Sequence, residues 1–493
     1  MESERPQNSA AADRVDGETF LGRLVAEEAA EHPGLSGFVP LSDGIDALGA
    51  RLILSDRAER SIDAQYYFIL NDATGQVFIS RLLAAADRGV RVRLLIDDIA
   101  TRGLDVGMAE LDGHPNFEIR IFNPFSRRLG RILHFLMNFR RANRRMHNKS
   151  FTVDGVATVV GGRNIGAEYF AARKDVNFGD LDLLGFGPVA RDVGIAFDVY
   201  WNDALAVPVA DLVRPARDPE AGLESLRART AASLEGLEAS DYGEALRSTL
   251  LDRLQGMEGG VEWATAHVVF DPPGKLRGEG APGQIAGRLA TSLLHAIGTA
   301  ERELLVVSPY FIPLAGGVEF LGAARARGVR SIVLTNSLAS SDVAAVHSGY
   351  APFRIPLLRH GVELFESRSD ARLAGPIRAG AAFSRSSLHA KIFVVDRRRL
   401  FVGSFNWDPR SVAINTEMGI LVDSPVLARR VADLVMALLP SEAWRVGETV
   451  SGRLRWSRSE AGREITVTRE PGAGFWRRVL AAILRWLPIR EQL

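Results

Sequence analysis

Two octapeptides hold the residues best suited to chemistry: HNKSFTVD, starting at His147, and HAKIFVVD, starting at His389. Each sets a lysine two residues after the histidine (Lys149, Lys391) and closes on an aspartate (Asp154, Asp396). Lysine is scarce here, with four among 60 basic residues, and two of the four fill these equivalent places. On a strand, residues i and i+2 share a face, so each histidine projects with its lysine. The aspartates have the opposite parity and lie at strand ends, where a turn or a structural ion pair competes with a catalytic role. Brought together, two imidazoles and two ammonium groups suit an anionic phosphodiester. One neutral imidazole can attack phosphorus and become a phosphohistidine. The other, protonated, can donate to the leaving alkoxide and later deprotonate the acceptor. The lysines would neutralise the non-bridging oxygens, work done by a metal in many phosphoryl-transfer sites. No carboxylate cluster in the sequence calls for a metal, and nothing calls for a cofactor.

Just after each octapeptide comes a stretch of small residues ending in asparagine: GGRN, with Asn164, and GSFN, with Asn406. Small residues let backbone approach a ligand, and an amide can bind a phosphate oxygen. Aligning Pro188 with Pro425 sets Asp180 opposite Glu417. These carboxylates are candidates to accept from a histidine Nδ1–H and so fix its tautomer.

The pairs His147/His389, Lys149/Lys391, Asp154/Asp396 and Asn164/Asn406 share one displacement, 242 (389 − 147). Ala58-Glu59-Arg60 and Ala300-Glu301-Arg302 share it too. Two halves of one architecture explain this ordered series. Each half alternates strand and helix patterns: SIDAQYYF, GQVFISRLLAAADRG, VRVRLLI and FEIRIF in the first, LLVVSPYF, EFLGAARARG, VRSIVLT and VELFE in the second. The first octapeptide and the run VATVVG after it predict a hairpin across Asp154-Gly155. The fold class is α/β: two tandem α/β/α sandwich domains related by a pseudo-twofold, with the site at their interface. The boundaries read as a flexible tail over 1–33, a first domain over 34–204, a helical connector over 205–260, a second domain over 261–440 and a tail over 441–493.

At 493 residues the chain is long enough for more than one domain. Its formal net charge of zero argues against a nucleic-acid partner, and zero cysteines exclude disulfides and thiol catalysis. No apolar run approaches the ~18 residues of a membrane span, so a soluble or peripheral protein is expected. Two stretches have the composition of interfacial helices. Residues 125–145 combine Phe125, Leu129, Ile132, Leu133 and Leu136 with seven arginines. Residues 475–489 combine Phe475, Val479, Ile483 and Trp486 with Arg477, Arg478 and Arg485. Docking on the protein is the alternative for both. His347, Tyr350 and Arg354 share a helix face, as site-lining or structural residues. Asp97 and Asp98 either face a site or cap a helix.

HNKSFTVDG…GGRN and HAKIFVVD…GSFNWDPRSVAINTE resemble the paired HxKxxxxD motifs of the phospholipase D superfamily. DAQYYF, AADRGVRVRLLIDD, NRRMHNKSFTVDG and TNSLASSDVAAVHSGY resemble its bacterial cardiolipin synthases, in the branch without N-terminal membrane spans. The resemblance implies a metal-free phosphatidyltransferase with His147 as nucleophile and His389 as acid/base, a choice that symmetry leaves open. It implies phospholipid substrates, phosphatidylglycerol and phosphatidylethanolamine among them, and a cytoplasmic protein peripherally bound to the inner membrane. Hydrolysis of phospholipids, or phosphodiesterase action on nucleic acid, are the alternative activities.

Overall fold

The computed structural model describes residues 18–126, 137, 139–173, 176–214, 218–238, 243, 260–278, 287–370, 385–460, 462–486 and 492. Among the described residues the strands form one continuous sheet of 18 strands and a second, two-stranded sheet in which Val176–Gly179 of the first half runs parallel to Arg385–Leu388 of the second. From one edge the order begins Ala206–Pro208, Phe117–Phe122, Arg91–Asp97, Ser61–Tyr66, Ser150–Val153, Ala157–Gly161, Asp182–Phe186, Ser36–Leu41. It continues Glu262–Phe270, Met418–Asp423, Arg399–Gly403, Ile392–Val395, Glu303–Val307, Arg330–Asn336, Glu363–Ser367. The second half thus runs through equivalent strands in reverse order. Within the large sheet each half has three parallel strands, the rest being antiparallel, and the halves join there where Ser36–Leu41 pairs with Glu262–Phe270.

Local sequence explains these elements. Asp72 caps the helix Ala73–Asp87 by accepting from the Gly75 amide, and Gly89 follows at φ 94°. Ser424 caps the helix Pro425–Glu442, with Pro425 in its first turn. The first hairpin turns through Asp154 and Gly155 at φ 52° and 66°, both in the left-handed region that such a turn requires. Its counterpart uses Asp396 and Arg397 at 52° and 54°. One apolar cluster serves both halves, with Phe38, Val160 and Leu183 against Leu305, Val394 and Ile420. The sandwich domains are therefore packed as one body over a shared core.

The flanks differ from expectation. Phe20–Ala29, inside the stretch expected to be flexible, is a helix capped by Thr19 with Leu21 buried. Residues 441–467 are no tail: the strands Ala443–Glu448, Leu454–Glu460 and Arg463–Val467 extend the sheet beyond Glu363–Ser367. In the connector, the helix Pro219–Glu238 lies on the first half, where Arg227 pairs with Asp87 and Ser233 donates to Gln76. Most of the basic stretch 125–145 lies outside the described residues; within it Phe125 is buried and Phe139–Ala142 is helical.

Candidate active site

Each octapeptide begins as extended chain that leaves its own half. The His147 amide donates to the Thr416 carbonyl at 2.9 Å, and the His389 amide donates to the Gly179 carbonyl at 2.8 Å. Those carbonyls immediately precede Glu417 and Asp180. Backbone pairing therefore delivers each histidine to a carboxylate of the opposite half. His147 Nδ1 lies 2.8 Å from Glu417 Oε2, and His389 Nδ1 lies 2.6 Å from Asp180 Oδ2. A neutral imidazole donating Nδ1–H here keeps Nε2 as a lone pair, the form a nucleophile or base requires.

The lysines follow their histidines as strand parity predicts. Lys149 Nζ donates to the His147 carbonyl at 2.6 Å, and Lys391 Nζ lies 3.0 and 3.2 Å from the two ring nitrogens of His389. Both lysines are 1% exposed. Aromatic rings fence the imidazoles: Tyr67 meets His147 edge-on at 5.0 Å, Tyr169 meets His389 edge-on at 5.1 Å, and Phe178 stacks on His389 at 5.2 Å.

Burial and like charges set the protonation. Burial first, then Lys149 and Lys391, holds His147 well below its usual range. Burial, then Lys391, pushes His389 down to about 4, against the pull of Asp180. Burial lowers both lysines, Lys391 to about 8. Burial would also raise Asp180, but His389, Lys391 and Arg163 outweigh it and hold the carboxylate at about 2. Glu417 goes the other way, pushed by burial up to about 7 against Lys149 and Ser404. The site thus sets two neutral imidazoles beside two buried lysines.

The two halves are not equivalent in detail. Ser404 and Ser411 hydroxyls donate to the two Glu417 oxygens. Gly162, the counterpart of Ser404, has no side chain, and a Cβ there would lie 2.5 Å from Asp180 Oδ1. The small residue serves the close approach of Asp180 to the backbone, where sequence reasoning had assigned it to a ligand. Arg163, 1% exposed, fixes this segment by donating to the carbonyls of Leu41, Ser42, Tyr169 and Asp180. Asn164 donates to the Tyr169 hydroxyl at 3.2 Å. Among the described residues the Oδ1 atoms of Asn164 and Asn406 are buried without a partner.

Seven residues weighed for the site make their contacts elsewhere. Asp154 accepts from the amides of Glu59, Arg60 and Ser61, and Asp396 from those of Glu301, Arg302 and Glu303. Both sit at the far end of a strand from the histidines, so the aspartates placed with the catalytic set tie the turn to the next strand. Asp97 and Asp98 brace the approach to the first octapeptide: Asp97 accepts from the Met146 amide and Arg145, Asp98 from the Phe125 amide. His347, Tyr350 and Arg354 form a buried network around Glu366 and Glu470 and are structural. The residues that sequence reasoning missed are Tyr67, Tyr169, Phe178, Arg163, Ser404 and Ser411. The aromatic run at Tyr66-Tyr67-Phe68 was the available signal for the first.

A family model described as "Cardiolipin synthase, PLD-like domain" matches residues 53–180 and 293–438, each segment carrying one octapeptide and one of the two carboxylates. Cardiolipin synthase C of Escherichia coli (strain K12) is 40% identical over 479 residues, covering 95% of this chain and 98% of that protein. The chain belongs to the phospholipase D superfamily, in its cardiolipin synthase branch. Within that branch, cardiolipin synthase A of Pseudomonas entomophila (strain L48) is more distant, at 25% identity over 82% of this chain and 67% of that protein. The phosphatidylserine synthase of Haemophilus influenzae Rd KW20 shares the fold, with a TM-score of 0.54 at 14% identity over 85% of this chain and 91% of the other.

Proposed function

We propose that this protein is a cardiolipin synthase that moves a phosphatidyl group to the hydroxyl of a second phospholipid, phosphatidylglycerol being the expected acceptor. The observation that carries the reading is the exchange of carboxylates, His147 with Glu417 and His389 with Asp180, inside a site lined by two lysines. In the first step the Nε2 lone pair of His147 forms a bond to phosphorus as the P–O bond to the departing headgroup breaks. His389, protonated, gives that oxygen its proton. The His389 nitrogen that gave up this proton then takes the proton of the acceptor hydroxyl, whose oxygen bonds to phosphorus as the bond to His147 breaks. Lys149 and Lys391 neutralise the non-bridging oxygens. The arriving phosphodiester brings negative charge beside His389 and raises it toward its acid form.

Among the described residues no helix is long and apolar enough to cross a membrane. The helix Phe475–Leu484 supports peripheral binding, at the inner face of a bacterial membrane. It exposes Phe475 by 65%, Trp476 by 78% and Ile483 by 58%, with Trp486 exposed by 90% just beyond it.

The test is to incubate the purified protein with vesicles of phosphatidylglycerol, with and without phosphatidylethanolamine, in EDTA, and to resolve the lipids by mass spectrometry. Cardiolipin is the expected product. Phosphatidic acid alone would assign hydrolysis instead, and strict dependence on added metal would remove the two-lysine account.

A further inference from the structure

Within each half the three parallel strands end level with one histidine. In the first, Tyr66 pairs with Ile96 and Asp97 with Phe122, while Gln65 lies across from Ser150, three residues after His147. In the second, Val307 pairs with Leu334 and Asn336 with Ser367, while Val307 lies across from Ile392, three residues after His389. The segments that leave these strand ends therefore form a rim at the histidine end of the sheet. On the first half they carry the exposed side chains of Val106, Met137 and Phe139. On the second half the segment after Asn336 fastens the helix Phe475–Leu484: Ala473 and Ala481 cluster with Leu338, and Arg477 donates to the Leu338 and Ser341 carbonyls. Near the chain's end Gln492 reaches the first half again, where its Oε1 accepts from Asn143 at 2.9 Å. Among the described residues five phenylalanine and tryptophan side chains are exposed, and four of them, Phe139, Phe475, Trp476 and Trp486, belong to this rim. The fifth, Phe20, lies at the opposite end, where its amide donates to Glu59 beside Asp154.

The rim is also basic, in a chain of zero net charge. From Asn123 to Met146 the sequence has seven arginines and no aspartate or glutamate. Buried arginines elsewhere pair with carboxylates, as Arg51 does with Asp182 and Arg354 with Glu366. At the rim, Arg141, Arg144, Arg410 and Arg477 donate only to backbone carbonyls and asparagine side chains. Their charge meets no carboxylate among the described residues.

We propose that this rim is a docking surface for an anionic phospholipid bilayer, in which Val106, Met137 and Phe139 of the first half insert beside the His147 side of the site while the C-terminal helix inserts beside the His389 side. The inference rests on the lipid-transfer reading above and adds a second foothold and an orientation to it: the histidine end of the sheet faces the membrane, held from both halves. Exposed aromatic and aliphatic side chains among arginines are the composition that seats a protein at a lipid surface, and uncompensated guanidinium groups select anionic headgroups. A second copy of the chain fits worse, because a twofold contact would set one arginine-rich surface against the same surface of its partner.

The chain has no cysteine, so one introduced thiol carries one label. Full-length Val106→Cys, Met137→Cys and Phe475→Cys each take an environment-sensitive fluorophore, once a urea midpoint equal to that of the parent shows that the fold is kept. Val426→Cys is the control: Val426 is exposed and opens the helix after Asp423, which pairs with Arg399 near the Asp396 turn, at the far end of the sheet. The labelled proteins meet vesicles of phosphatidylglycerol or of phosphatidylcholine, each with brominated acyl chains that quench a fluorophore lying among them. Labels at 106, 137 and 475 should be quenched on phosphatidylglycerol, and the label at 426 should not. Labels at 106 and 137 that stay unquenched while 475 is quenched overturn the proposal, since the helix would then be the sole anchor. Equal quenching on phosphatidylcholine overturns the selection of anionic lipid. A change at 106 and 137 that grows with protein concentration in the absence of vesicles overturns it in favour of a second copy. Arg141→Gln should weaken binding to phosphatidylglycerol vesicles about fivefold, the factor that one charge near the surface supplies, and an unchanged affinity counts against the charged part of the rim. Quenching at all three rim positions by a protein that makes no cardiolipin would sink the transferase reading and leave the docking surface standing.

Discussion

His389 takes its carboxylate partner from the other half of the chain: Nδ1 lies 2.6 Å from Asp180, 209 residues away. His147 does the same with Glu417. Neither half holds a complete His–carboxylate pair, so the catalytic tautomers depend on the interface being formed.

Glu417→Gln keeps an acceptor for Nδ1–H but removes its charge. Turnover should fall about 10- to 100-fold, the usual effect of losing an orienting partner, with KM held within about twofold. Steady-state kinetics on vesicles checks this. A change in KM alone would mean that Glu417 binds lipid and does not steer His147.

The two histidines should fail differently. His147→Asn should give no covalent intermediate. His389→Asn should still form it from a donor with an activated leaving group, and the adduct should persist because no base prepares the acceptor. Peptide mass spectrometry after a rapid denaturing quench locates the phosphatidyl group. Finding it on residue 389 would reverse the two roles.

Lys391 predicts an alkaline limit. A lysine in water keeps its proton to about 10.4, but burial brings Lys391 down to about 8. As pH rises through that value the ammonium is lost and phosphate binding weakens, so kcat/KM should decline near pH 8. Lys391→Arg stays charged throughout. It should be slower, since the planar guanidinium fits the place poorly, but should lack this limb. A limb that persists in the arginine variant would assign it to another group.

Asp154→Ala should act on stability alone. It leaves the Glu59, Arg60 and Ser61 amides without their acceptor. The cost is about 1–3 kcal/mol, read as a shift in the urea midpoint, with activity per folded molecule preserved. A variant that folds normally but is inactive would return Asp154 to the catalytic set.

Much of this was legible in the sequence because its signals are local. Strand parity set Lys149 beside His147, and Asp154-Gly155 marked the hairpin. The constant displacement between the motifs disclosed the two halves, and the proline alignment found both carboxylates. Which carboxylate serves which histidine was not legible, because that is decided by backbone bonds from His147 to Thr416 and from His389 to Gly179. Pairings so remote leave no mark on nearby residues. The division between Ser404 and Gly162 was visible as a difference of type but had no meaning until the carboxylates stood against them. The final strands were readable: Leu454 and Trp456, then Ile465 and Val467, alternate as half-buried strands do.

The seam of the sheet also bears on how the protein is made. The ribosome releases the first half with the strand Ser36–Leu41 still waiting for Glu262–Phe270, an unpaired edge blunted only by Pro40. His147 emerges 270 residues ahead of Glu417. At ~5–20 residues per second that interval is on the order of tens of seconds. Throughout it the nascent chain carries an exposed edge and an unsteered histidine, so it is prone to aggregate and lacks a complete His–carboxylate pair. Competence arrives late and at once, when the last third of the chain closes over the first.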